Sequence, residues 1–131
     1  MSEAPPLGIV VLSDSYERVH YALMMASSAA AIDRPVTLFF TMGAVPAMTA
    51  DEGWRALAGA ERDAQMKRRN VADMETLIEA CAAMGTTFMV CEAGLKATDT
   101  AKQALRTDVA IEVTGLVTFY KTVGAGQIAV L

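Results

Sequence analysis

The chain alternates short apolar runs with longer stretches whose apolar positions recur every three or four residues. "LGIVVL" (7–12) is continuously apolar, as expected of a central strand covered on both faces. "SDSYE" follows, with Asp14 and Glu17 at the spacing of a capping box, so a helix is expected to begin near Ser15. That helix runs through "YALMMASSAAAI" and stops at "DRP", where Pro35 disfavours helical geometry at Arg34 and releases the chain into a second strand, "VTLFF" (36–40). Gly43, Pro46, Gly53 and Gly59 break the next passage, which contains a second capping-box spacing, Thr49 to Glu52. It reads as a loop carrying a short helix, anchored by Trp54, either as a lid or oligomer contact or as a loop merely packed down. From Ala64 to Met84 the apolar residues Val71, Met74, Leu77, Ile78, Cys81 and Met84 predict one long helix, stopped by Gly85. A third strand "TTFMV" (86–90), a short helical stretch over 99–106, a fourth strand near 109–113, a helix over 114–123 and a last strand "QIAVL" complete the pattern. "GAG" (124–126) reads as the turn into that last strand.

Strands alternating with helices are the mark of β-α-β units and a buried parallel sheet, an α/β fold. At 131 residues and 53% hydrophobic content, the chain fits one compact domain over 1–131, long enough to bury roughly two thirds of its unfolded surface. A formal charge of −4, with 11 basic residues, excludes a nucleic-acid partner, which needs a basic face. The densest basic run, Lys67 to Arg69, reads as the solvated side of a helix. "MSEAPP" lacks the cationic and apolar parts of a secretory signal, and no run reaches the ~20 apolar residues of a membrane span. With only two cysteines, these features point to a soluble protein of the reducing cytoplasm.

Ligands of an open parallel sheet gather at the carboxyl ends of its strands. Three segments arrive there: Ser13 and Asp14 after the first strand, Phe40 and Thr41 after the second, Cys91 and Glu92 after the third. Cys81 belongs near the opposite edge, about five strand residues of ~3.3 Å away, too far for the ~7 Å Cα limit of a disulfide. On the apolar face of its helix it reads as a small core residue. For Cys91 the sequence leaves two readings open, a space-filling residue or a reactive thiol. A helix start favours an anion there by up to ~1 kcal/mol, Glu92 repels one, and Lys96 is the nearest cation in sequence. His20, next to Tyr21 in the first helix, either faces the site or is a packed or surface residue. One histidine and two separated cysteines make no metal site, and no cofactor, hydrolase, kinase or dehydrogenase signature is present.

Taken in order, "LGIVVLSDSYERVHYALMMASSAAAIDRPVTLFF", the helix ending at Gly85, "TTFMVCEAG" and "EVTGLVTFY" (112–120) resemble the DsrE/DsrF-like family, in its peroxiredoxin-like subgroup, over nearly the whole chain. The resemblance implies a three-layer α/β/α sandwich with a five-stranded, mainly parallel sheet, assembled into homo- or hetero-oligomers. It also implies a cysteine after the third strand that carries sulfane sulfur as a persulfide, the place that Cys91 occupies. Where sulfur-relay members have small residues and an Arg-Gly near the cysteine, this chain has "EAGLKATD". The expectation is a sulfur-transfer or sulfur-binding protein, a possible sulfurtransferase without cofactor, working as a homo-oligomer with a donor or acceptor protein. Cys91 accepts the sulfur, backbone N–H groups after the third strand stabilise the anion, and Ser13, Asp14, His20, Thr41 and Glu92 line the pocket. The alternative is a noncatalytic ligand-binding or regulatory subunit in which Cys91 only lines the site and the 43–63 excursion makes the protein contacts. An exposed thiol at the base of a cleft with Glu92 turned away favours the first; a buried thiol with no pocket beside it favours the second.

Overall fold

A computed structural model describes residues 4–131. Strands β1 (Leu7–Val11), β2 (Val36–Phe40), β3 (Thr87–Cys91), β4 (Ile111–Thr114) and β5 (Gln127–Val130) form one sheet in the order β4-β3-β2-β1-β5, every pair parallel. The three middle strands are almost wholly buried, as their unbroken apolar runs require, while β4 and β5 lie at the edges and are more open.

Helix α1 (Tyr16–Ala31) links β1 to β2, and α3 (Met74–Ala83) leads into β3. Both cover one face of the sheet, where Ile9, Val11, Leu38, Phe40, Phe88 and Val90 meet Leu23, Ala26, Leu77 and Ile78. Helix α5 (Leu116–Val123), between β4 and β5, covers the other face. Phe119 and Val123 close there over Phe39, Met89 and Cys91. Gly8 of β1 makes this seat, because a Cβ at that position would stand 2.7 Å from the Phe119 ring. Three layers therefore form.

Local chemistry redraws several expected boundaries. The cap of α1 is Ser15, whose hydroxyl accepts the Arg18 N–H at 3.4 Å; Asp14 does not cap, and Glu17 instead takes Arg62 at 2.9 Å. The helix expected over 64–84 is two. Helix α2 (Arg62–Arg68) buries no residue, Asn70 turns left-handed (φ 59°), and Asp73 starts α3 by accepting the Thr76 N–H at 2.9 Å. The basic run Lys67 to Arg69 is solvent-exposed, as its sequence suggests. No capping box forms at Thr49: its hydroxyl donates to the Pro46 carbonyl, and Glu52 is left-handed (φ 57°) and pairs with Arg55. The helical turn expected over 99–106 lies earlier, as α4 (Glu92–Ala97), which begins directly after Cys91. Left-handed Asp99 then turns the chain out, leaving only a 3-10 turn at Lys102–Ala104.

The excursion after β2 holds two 3-10 turns, Met42–Met48 and Gly53–Ala56, and is tied down rather than free. Trp54 is buried, and its indole N–H donates to Glu75 Oε2 at 2.7 Å. Arg106, also buried, grips the same Glu75 carboxylate through two nitrogens (2.7 and 3.1 Å) and Asp108 through two more contacts of 2.8 Å. One carboxylate thus joins the excursion, α3 and the segment before β4.

Candidate functional site

Extending the ladders one residue past the strand ends brings Leu12, Thr41, Cys91 and Thr114 into a single row across β1, β2, β3 and β4. Thr41 N–H donates to Val11 O at 2.9 Å and its backbone is extended (φ −147°, ψ 164°), so the strand alternation carries through it. All four positions fall on the face covered by α5, at the carboxyl edge of the sheet. Adjacent strands lie about 4.8 Å apart, so the Cys91 side chain stands between those of Thr41 and Thr114.

Cys91 caps α4 from an extended conformation (φ −72°, ψ 126°). Its side chain packs with Phe39, Met89 and Phe119 and is 7% exposed. Thr41 is buried and Thr114 half-buried, and among the described residues neither hydroxyl is committed to a hydrogen bond. Gly94 allows α4 to press onto this row, since a Cβ there would sit 2.9 Å from both Thr41 Oγ1 and Met42 N. A thiolate or persulfide anion between two free hydroxyls has hydrogen-bond donors on both sides.

The other candidates separate. Ser13 is half-buried, and its hydroxyl accepts the Ser15 N–H at 3.1 Å, ordering the turn that follows Leu12. Asp14 is exposed, its carbonyl accepting the Ala58 N–H at 2.8 Å. Glu92 is exposed and turned away from the thiol, lining instead a groove of about 460 Å³ with Leu95, Lys96, Asp99, Lys102 and Val113 between α4 and β4. His20 does not face the row. It is buried in the α1/α3 layer, stacked on Tyr16 at 5.5 Å between centroids, with Nε2 2.7 Å from the Ala72 carbonyl. Tyr16 in turn donates to Asp63 at 2.5 Å, and burial together with that carboxylate raises its hydroxyl far above the ordinary tyrosine value.

The second cysteine supplies a contrast. Cys81 is fully buried, its thiol directed at the Leu23 carbonyl at 3.6 Å, and burial pushes it up to about 11. Both cysteines are free, and Cys81 is the core residue that its helical position implies.

Residues 7–129 match the model of the DsrE/DsrF-like family. The chain belongs to that family. Solved structures support the same fold. The ychN protein from E. coli superposes with a TM-score of 0.70 at 16% identity, covering 97% of this chain and 99% of that one. The protein of unknown function MTH1491 from Methanobacterium thermoautotrophicum gives 0.66 at 13% identity over 97% and 99% of the two chains. BT1422 from Bacteroides thetaiotaomicron, a conserved protein of unknown function, gives 0.60 at 17% identity over 96% and 94%. No curated protein matches the sequence. Among the described residues no helix is long and apolar enough to cross a membrane.

In this DsrE/DsrF-like chain, sequence reasoning missed Thr114, Leu12 and Phe119. The fourth strand, expected near 109–113, ends one residue later at Thr114, and only the register reveals that Thr114 is level with Cys91. The hydrophobic period within 116–123 did signal that Phe119 and Val123 share a helix face. It carried no information about which cysteine they would cover. No spacing announced the joint of Glu75, Arg106 and Trp54.

Proposed function

We propose that this protein is a sulfur-binding member of the DsrE/DsrF-like family that works as a homo-oligomer and carries sulfane sulfur on Cys91. The observation that carries the reading is the row itself: of the two cysteines, Cys91 alone stands at the ligand-gathering edge of the sheet, between two free hydroxyls, while Cys81 is sealed. In the loading step, the Cys91 thiolate attacks the outer sulfur of a donor persulfide. The donor S–S bond breaks, a Cys91 S–S bond forms, and the donor leaves as a thiol after taking up the proton that Cys91 gave up. An acceptor thiolate then attacks the outer sulfur, and Cys91 returns as the leaving thiolate. No external oxidant enters. Thr41 and Thr114 steady the anionic outer sulfur; Ser13 and Asp14 shape the neighbouring turn.

One observation favours a second reading, a noncatalytic binding subunit. Cys91 is only 7% exposed, and the groove at this end is lined by Glu92 rather than by the thiol. Intact mass separates the two after exposure to polysulfide, with Cys91→Ser and Cys81→Ser alongside. The carrier reading expects added sulfur on wild type and Cys81→Ser, released by reductant and absent from Cys91→Ser. Unmodified wild type, under conditions that load a free low-molecular-weight thiol, transfers the assignment to the binding subunit.

A further inference from the structure

The end of the chain carries a surface that the fold leaves uncovered. Between Gly115 and Leu131 there is one charged side chain, Lys121, in a protein with 15 acidic and 11 basic residues. Phe119 and Val123 turn inward, whereas Leu116, Val117, Tyr120, Ile128 and Val130 remain between 43% and 70% exposed. These five share one side. With Phe119 and Val123 facing the sheet and a right-handed crossover from β4 to β5, positions 116, 117 and 120 fall on the flank of α5 that looks toward β5. Ile128 and Val130 are register partners of Gly8 and Val10, so they point to the face on which α5 sits. Leu12, 44% exposed, extends the patch to the row that holds Cys91.

The backbone adds an independent observation. Gln127 and Leu131 donate their N–H groups to Pro6 and Val10 of the β1 side, so by the alternation of a parallel ladder the N–H groups of Ile128 and Val130 face the open edge. No proline, charge or bulge guards β5, whereas the opposite edge strand carries the exposed Glu112. The six exposed side chains present on the order of 500 Å² of surface, at the top of what a monomer shows and close to the apolar share of the ~800 Å² each partner gives a standard interface. Two copies, each with net charge −4, repel at most orientations. They meet with least opposition across a face that contains no acid.

We infer that a second copy of this chain seats on the α5–β5 face, covering Leu116, Val117, Tyr120, Ile128 and Val130 and bordering the Cys91 row through Leu12. The inference rests on the assembly part of the reading above and not on its sulfur chemistry. Sedimentation at ~10 μM, within the range of stable standard-size interfaces, tests it on three full-length proteins: wild type, Val117→Glu/Val130→Glu, and Ile32→Glu, the last altering an equally exposed apolar residue (69%) at the end of α1. The expected result is an oligomer for wild type and Ile32→Glu, and a folded monomer by circular dichroism for the double variant, its association weakened at least tenfold. Should the double variant misfold, Tyr120→Lys takes its place with the same expectation. Monomeric wild type, an undiminished oligomer in the face variants, or equal dissociation by Ile32→Glu overturns the inference. Sulfur loading is read separately by mass, so a failed carrier reading leaves this result standing.

Discussion

The two faces of the sheet are built to different depths. On one, α1, α3 and the excursion after β2 pack large side chains such as Trp54, Tyr16, Leu23 and Met48 to complete burial, with Cys81 among them. On the other, one eight-residue helix covers the middle of the sheet with Phe119 and Val123, and five apolar side chains on its β5 side stay open. The thick face holds its cysteine where burial raises the thiol to about 11, and the thin face holds Cys91 at the edge of its cover. Depth of cover, not residue type, distinguishes the two cysteines.

The most severe way to break this comparison is to remove the thin cover. Phe119→Ala is expected to cost about 3–5 kcal/mol, as for other buried aromatic truncations, read from urea unfolding. In the folded variant Cys91 should label faster with a thiol reagent while Cys81 stays protected. Equal acceleration at both cysteines would show that the two faces do not open separately.

A smaller effect is expected at the joint that fastens the excursion to the thick face. Arg106→Met strips the Glu75 carboxylate of both guanidinium contacts and leaves it only the Trp54 indole, for a loss of about 2–3 kcal/mol. Trp54 fluorescence reports whether the excursion loosens while α1 and α3 hold. A variant as stable as wild type would mean that apolar packing of Trp54 alone fastens this segment.

The smallest effect sharpens the picture of how α3 begins. Hydrogen bonds from Thr76 hold the Asp73 carboxylate below its usual value. A depressed folded-state pKa contributes stability that is present above the ordinary value of about 3.9 and is lost as pH falls through the lower one. Asp73→Ala should therefore cost about 1 kcal/mol near neutral pH, with the difference from wild type shrinking below pH ~4. Paired denaturation curves at neutral and acid pH measure it; a gap that does not change with pH assigns the effect to something other than the charged cap.

Much of the fold was legible from local patterns. The runs 7–12 and 36–40 became central strands because continuous apolarity suits a strand covered on both sides, and "QIAVL" became β5. The break within 64–84 was not legible. Met66 and Val71 continue an apolar period across it, but Asn70 adopts a left-handed turn and Asp73 caps a new helix. Of the candidate site, Cys91 and Thr41 were readable from their positions after strands. His20 was not, since the same helical position serves either the site or the α1/α3 layer, and only the packing of α1 against α3 turned its ring to Ala72.

By itself, then, the sequence determined the parallel α/β order, the net acidic charge, the family, and a cysteine at the carboxyl end of the third strand. These follow from period, composition and adjacency, which a chain carries without folding. Tertiary structure alone decided that Thr41, Cys91 and Thr114 stand level, that Arg106 and Trp54 converge on Glu75, and that one flank of α5 is left bare. Each of these joins residues distant in the chain, through strand register and the choice of sheet face, and neither is encoded in any local spacing.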